Sequence, residues 1–153
     1  MKRIICIGNS LVAQDSAGFR VFLRLAAREL PADVELIDGG LCGLDLIRFV
    51  EGAERVVFVD AVSGVARPGE TVTLDAAQVS ALAQVSYGHE AGLPYLLRLL
   101  PAACDGPIPP ITLVGLEGEF AAQGIEEAAS LALAIAAQGS SVTQGTPGPE
   151  ARC

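Results

Sequence analysis

Asp60 follows the apolar run Val56-Val57-Phe58-Val59. A carboxylate in that place is costly to desolvate unless a cation, hydrogen bonds or solvent compensate; its other use is to cap the next turn. Asp15, in Gln14-Asp15-Ser16 ahead of a helical pattern, carries the same choice between cap and ligand. His89 is the single histidine, so any imidazole chemistry in the chain uses it. Its setting, Ser86-Tyr87-Gly88-His89-Glu90, reads as a loop entering a helix, which leaves the ring a solvated surface group or an accessible ligand. Two carboxylates and one imidazole, if a fold brings them together, make an oxygen, oxygen, nitrogen set with open positions, suited to nickel or zinc. A rival chemistry is a thiol nucleophile, with Cys42 in the loop Gly39-Gly40-Leu41-Cys42-Gly43 approaching His89; the simpler reading makes Cys42 a small packing residue. No G-x-S-x-G elbow supports a serine nucleophile, and Gly8-Asn9-Ser10 is neither a dinucleotide fingerprint nor a phosphate loop.

Several elements must position these groups. Arg3 to Ile7, Val34 to Ile37 and Val56 to Val59 are short β-rich runs, each followed by a small or acidic residue. Continuous apolar runs imply strands covered on both faces, hence parallel. Between the first two runs, Ala17 to Leu30 predicts a helix with Phe19, Phe22, Leu23, Ala26 and Leu30 on its apolar side. Arg20, Arg24 and Arg28 line the other side, as a solvated face or as a dock for an acidic partner. Leu44 to Val50 predicts a shorter helix. Arg67-Pro68-Gly69 signals a turn and leads to the alternating run Thr71 to Leu74, an edge strand in a hairpin-like return. Ala76 to Val85, Glu90 to Leu100 and Ile125 to Ala137 read as helices, and Ile111 to Val114 as one more buried strand.

The expected fold is therefore a three-layer α/β/α sandwich around a mainly parallel sheet of about five strands, with room for an antiparallel edge strand. In such sheets ligands bind beyond the carboxyl ends of the strands, where Gly8-Asn9, Asp38-Gly39-Gly40 and Asp60 fall. Residues 1–138 are expected to form one domain and 139–153 a flexible tail with little to bury.

Composition narrows the partners. Hydrophobic residues make up 51% of the 153, yet no run approaches the roughly 20 needed to span a membrane. A net charge of −8 with scattered Lys and Arg argues against nucleic acid. The basic start Met1-Lys2-Arg3 is followed by an apolar run that Gly8-Asn9-Ser10 interrupts too early for a signal peptide. The four cysteines include no C-x-x-C pair, so reduced thiols and a cytoplasmic location are expected.

The string Gly8-Asn9-Ser10-Leu11-Val12-Ala13-Gln14-Asp15-Ser16-Ala17-Gly18 resembles the opening motif of hydrogenase maturation proteases, G-N-x-L-x-x-D-[DE]-x-x-G. Asp38-Gly39-Gly40-Leu41-Cys42-Gly43-Leu44-Asp45-Leu46 is similar to their D-G-G-T-x-G-x-x-L. Val59-Asp60-Ala61-Val62 is similar to V-D-A-V, and Ser86-Tyr87-Gly88-His89 with Gly92-Leu93 to S-x-H-x-x-G-L. Leu113-Val114-Gly115-Leu116-Glu117 is similar to a later V-G-I-x-P. Gln14 stands where the family usually has an acid, Leu41 where it has Thr, and no Pro follows Glu117.

The resemblance implies an endopeptidase that removes the C-terminal extension of a nickel-iron hydrogenase large-subunit precursor after nickel insertion. It assigns Asp15, Asp60 and His89 to contact the nickel that the precursor carries, another divalent ion being able to take that place in isolation. Asp38 becomes a candidate catalytic or geometry-holding acid, and Gly8, Asn9, Gly39 and Gly40 the loops that meet the substrate. The other outcomes are a non-catalytic metal-sensing or precursor-binding domain of the same fold and a Cys42/His89 thiol peptidase.

Overall fold

A computed structural model of the chain describes residues 1–41, 43–82 and 92–139. Its strands β1 (Lys2–Ile7), β2 (Val34–Gly40), β3 (Arg55–Val62), β4 (Thr71–Asp75) and β5 (Ile111–Glu117) form one sheet in the order β2-β1-β3-β5-β4. All pairings are parallel except that of β4 with β5. The helices are α1 (Ala17–Ala26), α2 (Ile47–Val50), α3 (Ala76–Ala81), α4 (Leu93–Ala103) and α5 (Ala122–Ala137).

Successive strand residues point to opposite faces, which sorts the core into two layers. Ile4, Cys6, Val57 and Val59 pack with Val21 and Leu25 of α1 and with Ala128 and Ala132 of α5. Ile5, Ile7, Val56 and Phe58 pack on the other face with Val50, Val79, Leu93, Leu96 and Leu100 from α2, α3 and α4. This is the expected α/β/α sandwich with one antiparallel edge strand. Among the described residues no helix is long and apolar enough to cross a membrane.

Three local expectations are corrected. The hairpin-like return does not form, because β5 lies between β3 and β4 and the edge strand pairs with β5 instead. Helix α1 stops at Ala26, short of Leu30, which precedes Pro31 and is thereby biased out of the helical region. Its buried stripe is Ala17, Gly18, Val21 and Leu25, whereas Leu23 is half exposed. The arginine line is a solvated face only in part, since Arg24 is exposed whereas Arg20 and Arg28 are engaged within the chain. Arg20 Nη1 donates to the Phe120 carbonyl at 2.9 Å, and Arg28 pairs with the Glu126 carboxylate and reaches Ser130 Oγ at 3.1 Å. Arg24 Nε lies 3.8 Å from Glu126 Oε2, so the line clasps α5 within the same chain.

The strand order reverses at β1, whose neighbours are β2 on one side and β3 on the other. The chain leaves β1 for α1 on one face of the sheet and later supplies α3 and α4 to the other. The crevice this opens lies at the carboxyl ends of β1 and β3, where open α/β sheets bind ligands. Asp105 N–H, just past α4, donates to Glu51 Oε1 at 2.7 Å, close to the start of β3. The end of α4 is thus at the amino edge of the sheet, and its start at Leu93 faces the carboxyl edge, the edge of the crevice.

Candidate functional site

Asp60 is a strand residue of β3, opposite Gly115 of β5, and the strand runs on to Val62, so it caps no turn. It is 6% exposed. Alternation puts it on the face of Phe58 and Val62. Burial first, then the negative charge of Asp15, hold its carboxyl well above the usual carboxylate range, and a hydrogen bond from the Ala61 amide offsets part of this.

Asp15 ends a 3-10 turn, Ala13–Asp15, that leads into α1. It does not cap the helix: the N-cap position belongs to Ser16, whose Oγ donates to the Ala13 carbonyl at 2.9 Å. The β1–α1 loop is built to present Asp15. Asn9 N–H donates to the Asp15 carbonyl at 2.8 Å and Asp15 N–H to the Val12 carbonyl at 2.9 Å, while Asn9 Oδ1 accepts from Leu11 N–H at 2.9 Å. A side chain on Gly8 would lie 2.7 Å from the Asp15 carbonyl, so the chain closes this tightly only with glycine there.

Asp38 is placed differently. Cys6 of β1 pairs with Asp38 on one side and with Val59 on the other, so β1 separates Asp38 from Asp60. Asp38 is exposed and its Oδ1 accepts from Gly40 N–H at 3.1 Å; burial first, and then the charge of Asp38, push up the thiol of Cys6. Gly39 is the extra residue of a bulge, since Cys6 faces Asp38 and Ile7 faces Gly40. Gly40, at φ +54°, then accepts from Gly8 N–H at 2.8 Å and ties the two loops together.

The structure thus brings Asp15 and Asp60 within reach of each other's charge and leaves Asp38 beside them, across β1. Among the described residues no salt bridge engages Asp15 or Asp60, and no three His, Cys, Asp or Glu residues form a metal-holding group. His89 and Cys42 lie outside the described residues.

A family model described as hydrogenase maturation protease matches residues 19–138. The chain belongs to the hydrogenase maturation protease family. The matched stretch contains Asp38, Asp60 and His89 and starts just after Asp15. The hydrogenase 2 maturation protease of Escherichia coli K12 is 31% identical over 116 residues, 74% of this chain and 70% of that one. The hydrogenase expression/formation protein HupD of Rhodobacter capsulatus is 43% identical over 72 residues, 46% of this chain but only 34% of that longer protein. Among solved structures, the hydrogenase maturating endopeptidase HybD of Escherichia coli superposes with a TM-score of 0.69 at 27% identity, covering 88% of this chain and 89% of that one.

In this family member a further buried acid went unassigned in the sequence. Glu117, 7% exposed at the end of β5, accepts from the amides of Val65 at 2.8 Å and Ala66 at 3.1 Å. Its own carbonyl accepts from Gly69 N–H at 2.7 Å, so it straps the β3–β4 connection to the sheet. The signal was present: Glu117 closes an apolar strand run as Asp60 does, and what separates them is that Glu117 finds two amide donors.

Proposed function

We propose that this protein is the endopeptidase that removes the C-terminal extension of a hydrogenase large-subunit precursor, and that it recognises the nickel the precursor carries. The observation behind this reading is the buried carboxyl of Asp60, raised by burial and by Asp15 at the crevice where β1 and β3 end. Two acids held in this way repel each other, and a cation between them relieves both burial and repulsion. A precursor with its metal supplies that cation, and an empty precursor does not. Asp15 and Asp60 then give two oxygen ligands and His89 a nitrogen, a set suited to nickel.

In this reading Asp38 keeps Gly39 and Gly40 in the shape that meets the substrate, and Gly8 and Asn9 do the same for Asp15. Cys6 and Cys104 are free thiols, in keeping with work in the reducing cytoplasm.

The test is incubation with nickel-loaded precursor, with the products weighed by mass spectrometry. Wild-type protein should release the C-terminal peptide, and Cys42→Ala should release it at a comparable rate. His89→Ala should slow release by at least about 100-fold, since even outer-shell partners of a metal ligand are worth 10- to 100-fold. Complete loss in a folded Cys42→Ala variant would move the chemistry to the thiol. Tight binding of loaded precursor without release would make the protein a sensor.

A further inference from the structure

Large apolar side chains stand exposed at seven places among the described residues: Met1, Leu11, Val12, Leu23, Leu41, Leu44 and Ile108. Four of these, Leu11 at 92%, Val12 at 43%, Leu41 at 72% and Leu44 at 53%, come from the two loops that follow β1 and β2. The first loop is closed on itself and tied to the end of β2. Gly8 N–H bonds to the Gly40 carbonyl, and Leu11 and Val12 donate their own amides to Asn9. Fixed backbone therefore holds Leu11 and Val12 in water, where apolar surface gains nothing, Leu41 and Leu44 are exposed on the neighbouring loop, and exposure of this kind marks a contact surface. The same two segments, 8–16 and 38–45, contain Asp15, Asp38 and Asp45 and no Lys or Arg. Exposed apolar side chains on segments whose only charges are acidic suit a partner that presents a cation amid apolar side chains, and they disfavour an acidic protein or an anionic membrane.

We propose that Leu11, Val12, Leu41 and Leu44 are the surface on which the precursor's metal-bearing face docks, its apolar side chains covering these four while its cation comes to rest over Asp15 and Asp60. This rests on the function proposed above and adds the part of the protein that selects the polypeptide, as distinct from the metal. Leu41 stands where the resembled motif has Thr, which places a difference of this chain on that surface.

The experiment is steady-state cleavage of nickel-loaded precursor by the full chain and by the double variant Leu11→Ser, Leu41→Ser. The expected result is a KM raised about tenfold or more with kcat unchanged, the pattern left by removing binding common to ground and transition states. The thermal midpoint should not move, because both side chains are already in water. An unchanged KM with normal cleavage would overturn the docking surface and leave the proposed function standing. Absence of cleavage by the wild-type protein would overturn both. Sedimentation supplies the remaining arm: a wild-type dimer that the double variant reduces to monomer would assign the surface to a second copy of this chain and overturn the proposal.

Discussion

Asp60→Asn is expected to make the protein more stable at pH 7 while reducing precursor cleavage by at least about 100-fold. The carboxyl of Asp60 titrates above its unfolded value, about 3.9 for Asp, because burial and the charge of Asp15 penalise its ionised form. The folded state therefore holds this proton more tightly than the unfolded chain. The resulting penalty is absent at low pH, develops as pH rises through the unfolded value, and is complete above the raised folded one. Asn keeps the shape and an oxygen to accept from the Ala61 amide, but it has no charge to bury. A higher unfolding midpoint for Asp60→Asn than for the wild type is therefore expected at pH 7. Thermal unfolding from pH 4 to pH 8 checks it: the gap between variant and wild type should close toward the acid end. An Asn variant less stable than wild type at pH 7 would mean that the fold favours the charged carboxylate.

Gly18→Ala is expected to cost more than about 3 kcal/mol, the upper part of the range for forcing atoms into a filled core. In most helices this exchange gains about 0.5–1 kcal/mol. Here a Cβ would stand 1.8 Å from the Ile7 carbonyl oxygen and 2.9 Å from that of Val59. Both obstacles are backbone of the central strands, so neither can swing aside, and α1 would have to lift off the sheet beside Asp15. The expected loss is about 10 °C in the unfolding midpoint. Gly124→Ala is the control: it lies in α5, and its nearest contacts are with the Phe120 ring, at 2.7 Å, which can turn away. Equal midpoints for Gly18→Ala and the wild type would show that α1 does not rest on β1 and β3 in this way.

The central strands could be read from sequence because both of their faces are covered, which leaves unbroken apolar runs with no competing interpretation. Asp60 stood out for the same reason, although the strand passes it by two residues. Helix α1 was read less well. Periodicity weights large apolar side chains and so selected Leu23 and Ala26, whereas the contact with the sheet is made through Ala17 and Gly18, whose smallness is what lets the helix approach. The destiny of Arg28 was invisible, since Glu126 is 98 residues away in the chain. So was the pairing of β4, which waits for a strand that arrives about 40 residues later. Hydropathy would bury Leu11; only the closed backbone of its loop shows that it stays outside.

Recognition of the metal in the precursor is the property on which the proposed function stands. It is tested most directly by offering the wild-type protein two precursors identical except for nickel and following the release of the C-terminal peptide from each. The proposed function predicts cleavage of the loaded precursor and at least about 100-fold slower cleavage of the empty one, with Asp60→Asn slow on both. Equal cleavage of loaded and empty precursor by the wild-type protein would contradict it.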